Sequence, residues 1–165
     1  MIFKGTVPSV TQMLRQEEAP RGRGLVAVVP DGPRHTAASN AGAAGALLAG
    51  PGGADECWRF VVLQTLDDYT SSLRRGGTRL ARRVFDDEPA PTGSSELDAA
   101  LAALADHLAE RDGWAPPPWV DDPDRTTTAW YPCVPPIFRA DADEQSPRAF
   151  RRRGILITDR SLARA

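Results

Sequence analysis

Apolar positions recur at helical spacing along two stretches of this chain, and the pattern breaks down sharply in a third. Between residues 55 and 75, Trp58, Val62, Leu66, Tyr69 and Leu73 are separated by four, four, three and four residues, which places them on one face of a helix. Asp55 and Glu56 stand at the end that favours negative charge, and Arg74 and Arg75 at the end that favours positive charge. After Gly76-Gly77 a second helix is expected over roughly 78–86, carrying Leu80, Val84 and Phe85. Residues 95–112 give the clearest signal. Leu97, Leu101, Leu104 and Leu108 form a stripe, Ser95 with Asp98 resembles a capping box, and Gly113 is placed to close the helix.

Upstream the pattern is weaker. Residues 8–18 predict a helix with Val10, Met13 and Leu14 inward, and 24–30 predict a short strand ended by the turn Pro30-Asp31-Gly32-Pro33. The stretch 37–53 mixes alanines that allow a helix with glycines that oppose one. The expected organisation is an N-terminal segment, 1–54, and a helical domain, 55–165, forming one globular unit.

Residues 114–136 read differently. They hold three of the four tryptophans, Trp114, Trp119 and Trp130, together with seven prolines. Proline fixes φ and lacks a donor, so neither a regular helix nor a central strand fits. The aromatic content is too high for a free linker, so an ordered loop packed over the helices is expected. An exposed aromatic surface for a partner stays open beside it, with Trp119, Trp130 and Tyr131 as contact candidates. The predicted fold is a mainly α small helical domain with this Trp/Pro-rich ordered loop, a short C-terminal extended segment and a short strand near 24–30.

Composition narrows the function classes. The 41% hydrophobic and 25% charged content suits a globular chain, and the net charge of -2 disfavours a dedicated nucleic-acid binder. The N-terminus shows no signal-peptide pattern and no apolar run reaches the ~20 residues a bilayer requires, so a cytoplasmic location is expected. Cys57 and Cys133 are isolated and are expected to be free thiols. Gly42, Gly45, Gly50, Gly52 and Gly53 match neither a dinucleotide fingerprint nor a phosphate loop. With His35 and His107 the only histidines, no metal-ligand spacing exists, and the serines form no nucleophile elbow. The acidic runs 86–88, 121–124 and 141–144 read as solvated loop faces. No catalytic, metal or cofactor-binding residue is assigned.

The local exception to acidity is the C-terminus. Residues 146–165 contain six arginines against a single acid, Asp159. Ser146-Pro147 predicts the start of a short helix over 147–153, with Phe150 inward and Arg148, Arg151, Arg152 and Arg153 mostly outward. Gly154 stops it, Ile155 to Ile157 follow as a buried extended segment, and Thr158 or Ser161 caps a last turn. The arginines either pair with the acidic loops or present a basic patch to an acidic protein or a phosphate backbone.

The strings DDEPAPTGSSELDAALAALADHLA, WAPPPWV, TAWYP and SPRAFRRRGILITDRSLARA resemble the C-terminal region of a group of uncharacterised high-GC bacterial proteins. Some of these join that region to an Xre-type helix-turn-helix domain, and they occur beside nucleotidyltransferase-like toxins. The resemblance spans about half the chain and brings no catalytic residues; residues 1–54 carry no helix-turn-helix pattern. It implies an antitoxin-like regulator that binds a protein partner without catalysing a reaction. A small enzyme using scattered acids, His107 and the tail arginines is the alternative, with weak nucleic-acid binding least favoured. The oligomeric state stays open.

Overall fold

The computed structural model describes residues 32–163. The expected helix at 8–18 and strand at 24–30 lie outside the described residues. Within them the protein is mainly α-helical, and extended pairing is confined to one parallel bridge between Trp130 and Ile155. No helix among the described residues is long and apolar enough to cross a membrane.

The alanine/glycine stretch resolves into three one-turn helices: α1 (Ala37–Ala41), α2 (Ala44–Leu48) and α3 (Gly53–Cys57). Thr36 starts α1, its hydroxyl accepting from the Ser39 amide at 3.1 Å while the Ser39 hydroxyl accepts from the Thr36 amide at 2.9 Å. Ala37, Ala41 and Ala44 are buried in the same core as the helices that follow, so the compact unit begins at Gly32. Asn40 ties α1 to the next helix by donating to Thr65 Oγ1 at 3.0 Å and Asp68 Oδ2 at 2.9 Å.

α3 runs into a π-helical segment, Trp58–Val62, and then α4 (Leu63–Ala81). The wide turn buries Trp58, Val61 and Val62 and turns Arg59 and Phe60 outward. Gly76 and Gly77 break α4: Gly77 sits at φ 66°, a left-handed conformation that glycine adopts without steric cost. Arg82–Phe85 continues as a 3-10 turn.

α5 (Ser95–Asp112) is the axis of the fold. Its leucine stripe is fully buried, and so are Ala99, Ala100, Ala102, Ala103 and Ala105 on the intervening faces. A helix that is apolar nearly all round must be covered all round. The cap falls one residue before the expected Ser95: Ser94 is extended and its hydroxyl accepts from the Leu97 amide at 3.4 Å. Asp98 instead holds the preceding turn, accepting from the Thr92 amide at 3.0 Å. Gly113 closes the helix at φ 71°.

The Trp/Pro segment supplies much of the cover. Trp114 stacks within 6.2 Å of the Tyr69 ring and 5.9 Å of the Phe85 ring. Trp130 meets Trp58 edge-on at 5.8 Å. Fully burying a large apolar side chain contributes about 1.5–3 kcal/mol, and the half-buried Trp114 and Trp130 contribute less than that. Two further helices follow, α6 (Arg139–Gln145) and α7 (Arg148–Arg151). Ser146 does not cap α7; its hydroxyl bonds the Ala142 carbonyl and accepts from the Ile157 amide at 2.8 Å, tying the tail to α6. α7 is one turn rather than the expected two, because the chain tightens through Arg152 and Arg153 into Gly154 at φ 79°.

Candidate functional site

The tail arginines are largely consumed within the fold. Arg153 follows Phe150 by three residues, shares its inward face, and is only 4% exposed. Its guanidinium donates to Asp106 Oδ2 at 2.9 Å, the Ala149 carbonyl at 2.9 Å and the Val120 carbonyl at 2.7 Å. Burial lowers its pKa, with the hydrogen bond to Asp106 opposing that shift. Arg152 reaches the same Asp106 oxygen at 2.9 Å and Asp121 at 3.2 Å. Arg151 donates to the Glu144 carbonyl at 2.7 Å and the Ser146 carbonyl at 3.1 Å. Arg148 stands out from the surface, its side chain 71% exposed and 3.9 Å from Glu110.

The aromatic candidates divide in the same way. Trp119 is buried, donates its indole N–H to the Phe85 carbonyl at 3.1 Å, and carries the Arg125 guanidinium over its ring at 5.0 Å. Trp130 is half-buried against Trp58. Tyr131 is partly exposed; it donates to Asp143 Oδ1 at 2.8 Å and lies beneath Arg139 at 5.0 Å. The hydrogen bond to Asp143 raises its pKa.

The surface that is open lies next to these residues. Val134, Pro135, Phe138 and Asp141 on one side and Asp159 and Arg160 on the other enclose a cleft of about 390 Å³. A second cleft of about 300 Å³, between Trp58, Leu63 and Pro132, shares Cys133 and Ser161 with it. Ile137 is 81% exposed and Phe138 48% exposed, both large apolar side chains left in water. They stand immediately after the Trp/Pro segment, in the run Pro135-Pro136-Ile137-Phe138. The sequence signal was an aliphatic–aromatic pair outside any helical stripe. The cleft itself has none, because its walls are some twenty residues apart in the chain.

Cys133, between the two clefts, has a positive φ of 53°. Its amide and thiol both approach Asp55, at 3.4 Å to Oδ1 and 3.4 Å to the carbonyl. Burial and then the Asp55 charge raise the thiol pKa, which keeps sulfur protonated and a poor nucleophile at neutral pH. Cys57 is buried with its pKa raised for the same first reason. His107 lies edge-on to Phe150 at 5.8 Å, has its pKa lowered by burial, and lines neither cleft. Among the described residues no group of three or more His, Cys, Asp or Glu is arranged to hold a metal ion.

Fold and surface together define a mainly α-helical domain with an apolar-edged cleft. No family model, curated protein or solved structure matches the chain.

Proposed function

We propose that this chain is a non-enzymatic, protein-binding regulator of the cytoplasm, antitoxin-like, whose partner is a nucleotidyltransferase-type toxin encoded beside it. The observation that supports the binding reading is the exposure of Phe138, which lines the 390 Å³ cleft, and of Ile137 next to it in the chain. Burying both side chains on association removes apolar surface worth roughly 1.5–3 kcal/mol each, the scale of an interface anchor. Among the described tail arginines Arg160 lines this cleft, whereas Arg153 is buried and the exposed Arg151 and Arg152 are bonded to other groups of the chain.

The test is co-expression with the neighbouring toxin-like protein, followed by size-exclusion light scattering. A stoichiometric complex that Ile137→Ser with Phe138→Ser dissociates, at unchanged melting temperature, supports the reading. A complex indifferent to that pair removes the face, and the absence of any complex removes the function.

A further inference from the structure

A second charged surface lies away from the arginine tail. From Tyr69 to Phe85 the chain carries Arg74, Arg75, Arg79, Arg82 and Arg83 and no acidic residue. Arg74, Arg79, Arg82 and Arg83 are exposed. Arg75 donates to Ser72 at 3.1 Å and Arg83 lies 3.7 Å from Asp86. Arg74, Arg79 and Arg82 have no hydrogen-bond or ion-pair partner among the described residues. The contrast with Arg152 and Arg153, which share the Asp106 carboxylate, is direct.

The backbone suits the charge. Arg79 and Arg82 are three residues apart and so share one helix face, ~4.5 Å along the axis at ~1.5 Å per residue. Arg74 and Arg75 stand just before the Gly76–Gly77 break. Both glycines are exposed; a Cβ on Gly77 would meet nothing within 4 Å, while the Leu80 side chain lies against Gly76, so the main chain is open at Gly77. The segment 74–83 holds no aromatic or acidic side chain, and Leu80 is its one large apolar residue. An apolar protein surface would find little there to bury. A strand of phosphates, with a charge every ~3.4 Å of rise, finds clustered guanidinium forks and room for close approach.

The geometry points to α4, around its glycine break, as a sequence-independent binding surface for the phosphodiester backbone of a nucleic acid, held by Arg74, Arg79 and Arg82 with Arg75 beside them. The overall net charge of -2 does not oppose this, because the nearest acids, Asp67 and Asp68 before the run and Asp86 to Glu88 after it, flank the arginines rather than interrupt them. Base edges play no part, so one DNA sequence binds like another.

Fluorescence anisotropy on the full chain tests it, using labelled duplex DNA of two helical turns (~20 base pairs), the matching single-stranded DNA and the matching RNA. Binding to at least one probe is expected at ~50 mM salt, weakening on the order of 100-fold by ~200 mM if about four phosphates are neutralised. The three probes then separate duplex from single-strand and DNA from RNA. Replacing Arg74, Arg79 and Arg82 with Gln is expected to weaken binding more than about tenfold while leaving the melting temperature unchanged. The matching triple Lys variant retains the salt dependence. No binding at low salt, equal binding by the Gln variant, or equally tight binding of polyglutamate would overturn the inference, the last in favour of an acidic protein partner.

Discussion

Asp106 on α5 accepts a hydrogen bond from Arg153 Nη1 and is ion-paired with Arg152 Nη2, each at 2.9 Å. Among the described residues Asp106 is the one carboxylate bonded to the nearly buried Arg153 guanidinium, whose other bonds go to the Ala149 and Val120 carbonyls. The pair therefore anchors α7 to the central helix. Asp106→Ala leaves Arg153 charged and buried without its counter-ion, and is expected to lower unfolding free energy by about 3 kcal/mol in urea titration. Arg148→Ala, at the surface, is expected to change it by less than about 0.5 kcal/mol. Comparable values for the two would show that Arg153 is not a structural arginine.

The Tyr69 hydroxyl donates to Asp112 at 2.6 Å and accepts from the Trp114 indole at 3.0 Å, closing α4, α5 and the Trp/Pro segment together. Tyr69→Phe leaves both partners short of a bond and is expected to cost about 1–3 kcal/mol. Burial, with the Asp112 hydrogen bond second, raises the Tyr69 pKa from 10.0 to about 12. The unfolded phenol ionises first, so stability is expected to fall between pH 10 and about 12. Absorbance titration near the tyrosinate band reads this directly: loss of the late-titrating component in Tyr69→Phe confirms the assignment, and its persistence refutes it.

Acid acts in two windows. His107 is lowered from 6.5, first by burial and then by Arg111, with Glu110, Asp106 and Asp112 opposing. The unfolded imidazole takes up its proton first, so stability begins to decline as pH falls below 6.5. Asp112 is lowered from 3.8, chiefly by its hydrogen bond from Arg111, and Glu96 from 4.5 by its hydrogen bond from Ser94. Their contribution is present above those ordinary values and is lost at lower pH as the folded carboxylates are protonated. Melting temperatures across this range are expected to show both declines, and His107→Gln to remove the first alone.

Gly154 sits at φ 79°, and a Cβ there would collide with the Thr127 carbonyl. Around it the Thr127 amide bonds the Arg153 carbonyl at 2.9 Å, and the Trp130 amide bonds the Gly154 carbonyl at 2.9 Å. Gly154→Ala adds both left-handed strain and the clash, for a loss of roughly 3 kcal/mol or more. Gly77→Ala carries strain without a clash, since that Cβ position is open. Chemical denaturation of the two variants should rank them in that order.

What the chain discloses in one dimension depends on how local each feature is. Helix 95–112 was legible because its stripe lies within it and its cap and closing glycine directly beside it, although the cap is Ser94 rather than Ser95. The burial of its alanines was not, because small side chains carry little stripe signal and their cover comes from distant segments. The helical face of Trp58, Val62 and Tyr69 emerged from spacing alone, while the π-helical turn beneath it did not. In the tail, the sequence pattern puts Arg153 outward with its neighbours, yet it is buried; its counter-ion, Asp106, lies 47 residues away and leaves no local signal. Arg74 and Arg75 read as compensation of a helix end, and nothing in the sequence singles out Arg79 and Arg82 as arginines that lack partners.

The edge-on contact of Trp58 with Trp130 and Phe150 also orders events in time. A ribosome adding ~5–20 residues per second leaves the Trp58 indole waiting on the order of ten seconds for Phe150 to be made. Over that interval the emerging helices have no lid on their largest aromatic side chain. A chain cut short before residue 150 lacks the Phe150 side of the contact on Trp58 for good, so it is expected to be stickier than the full-length chain.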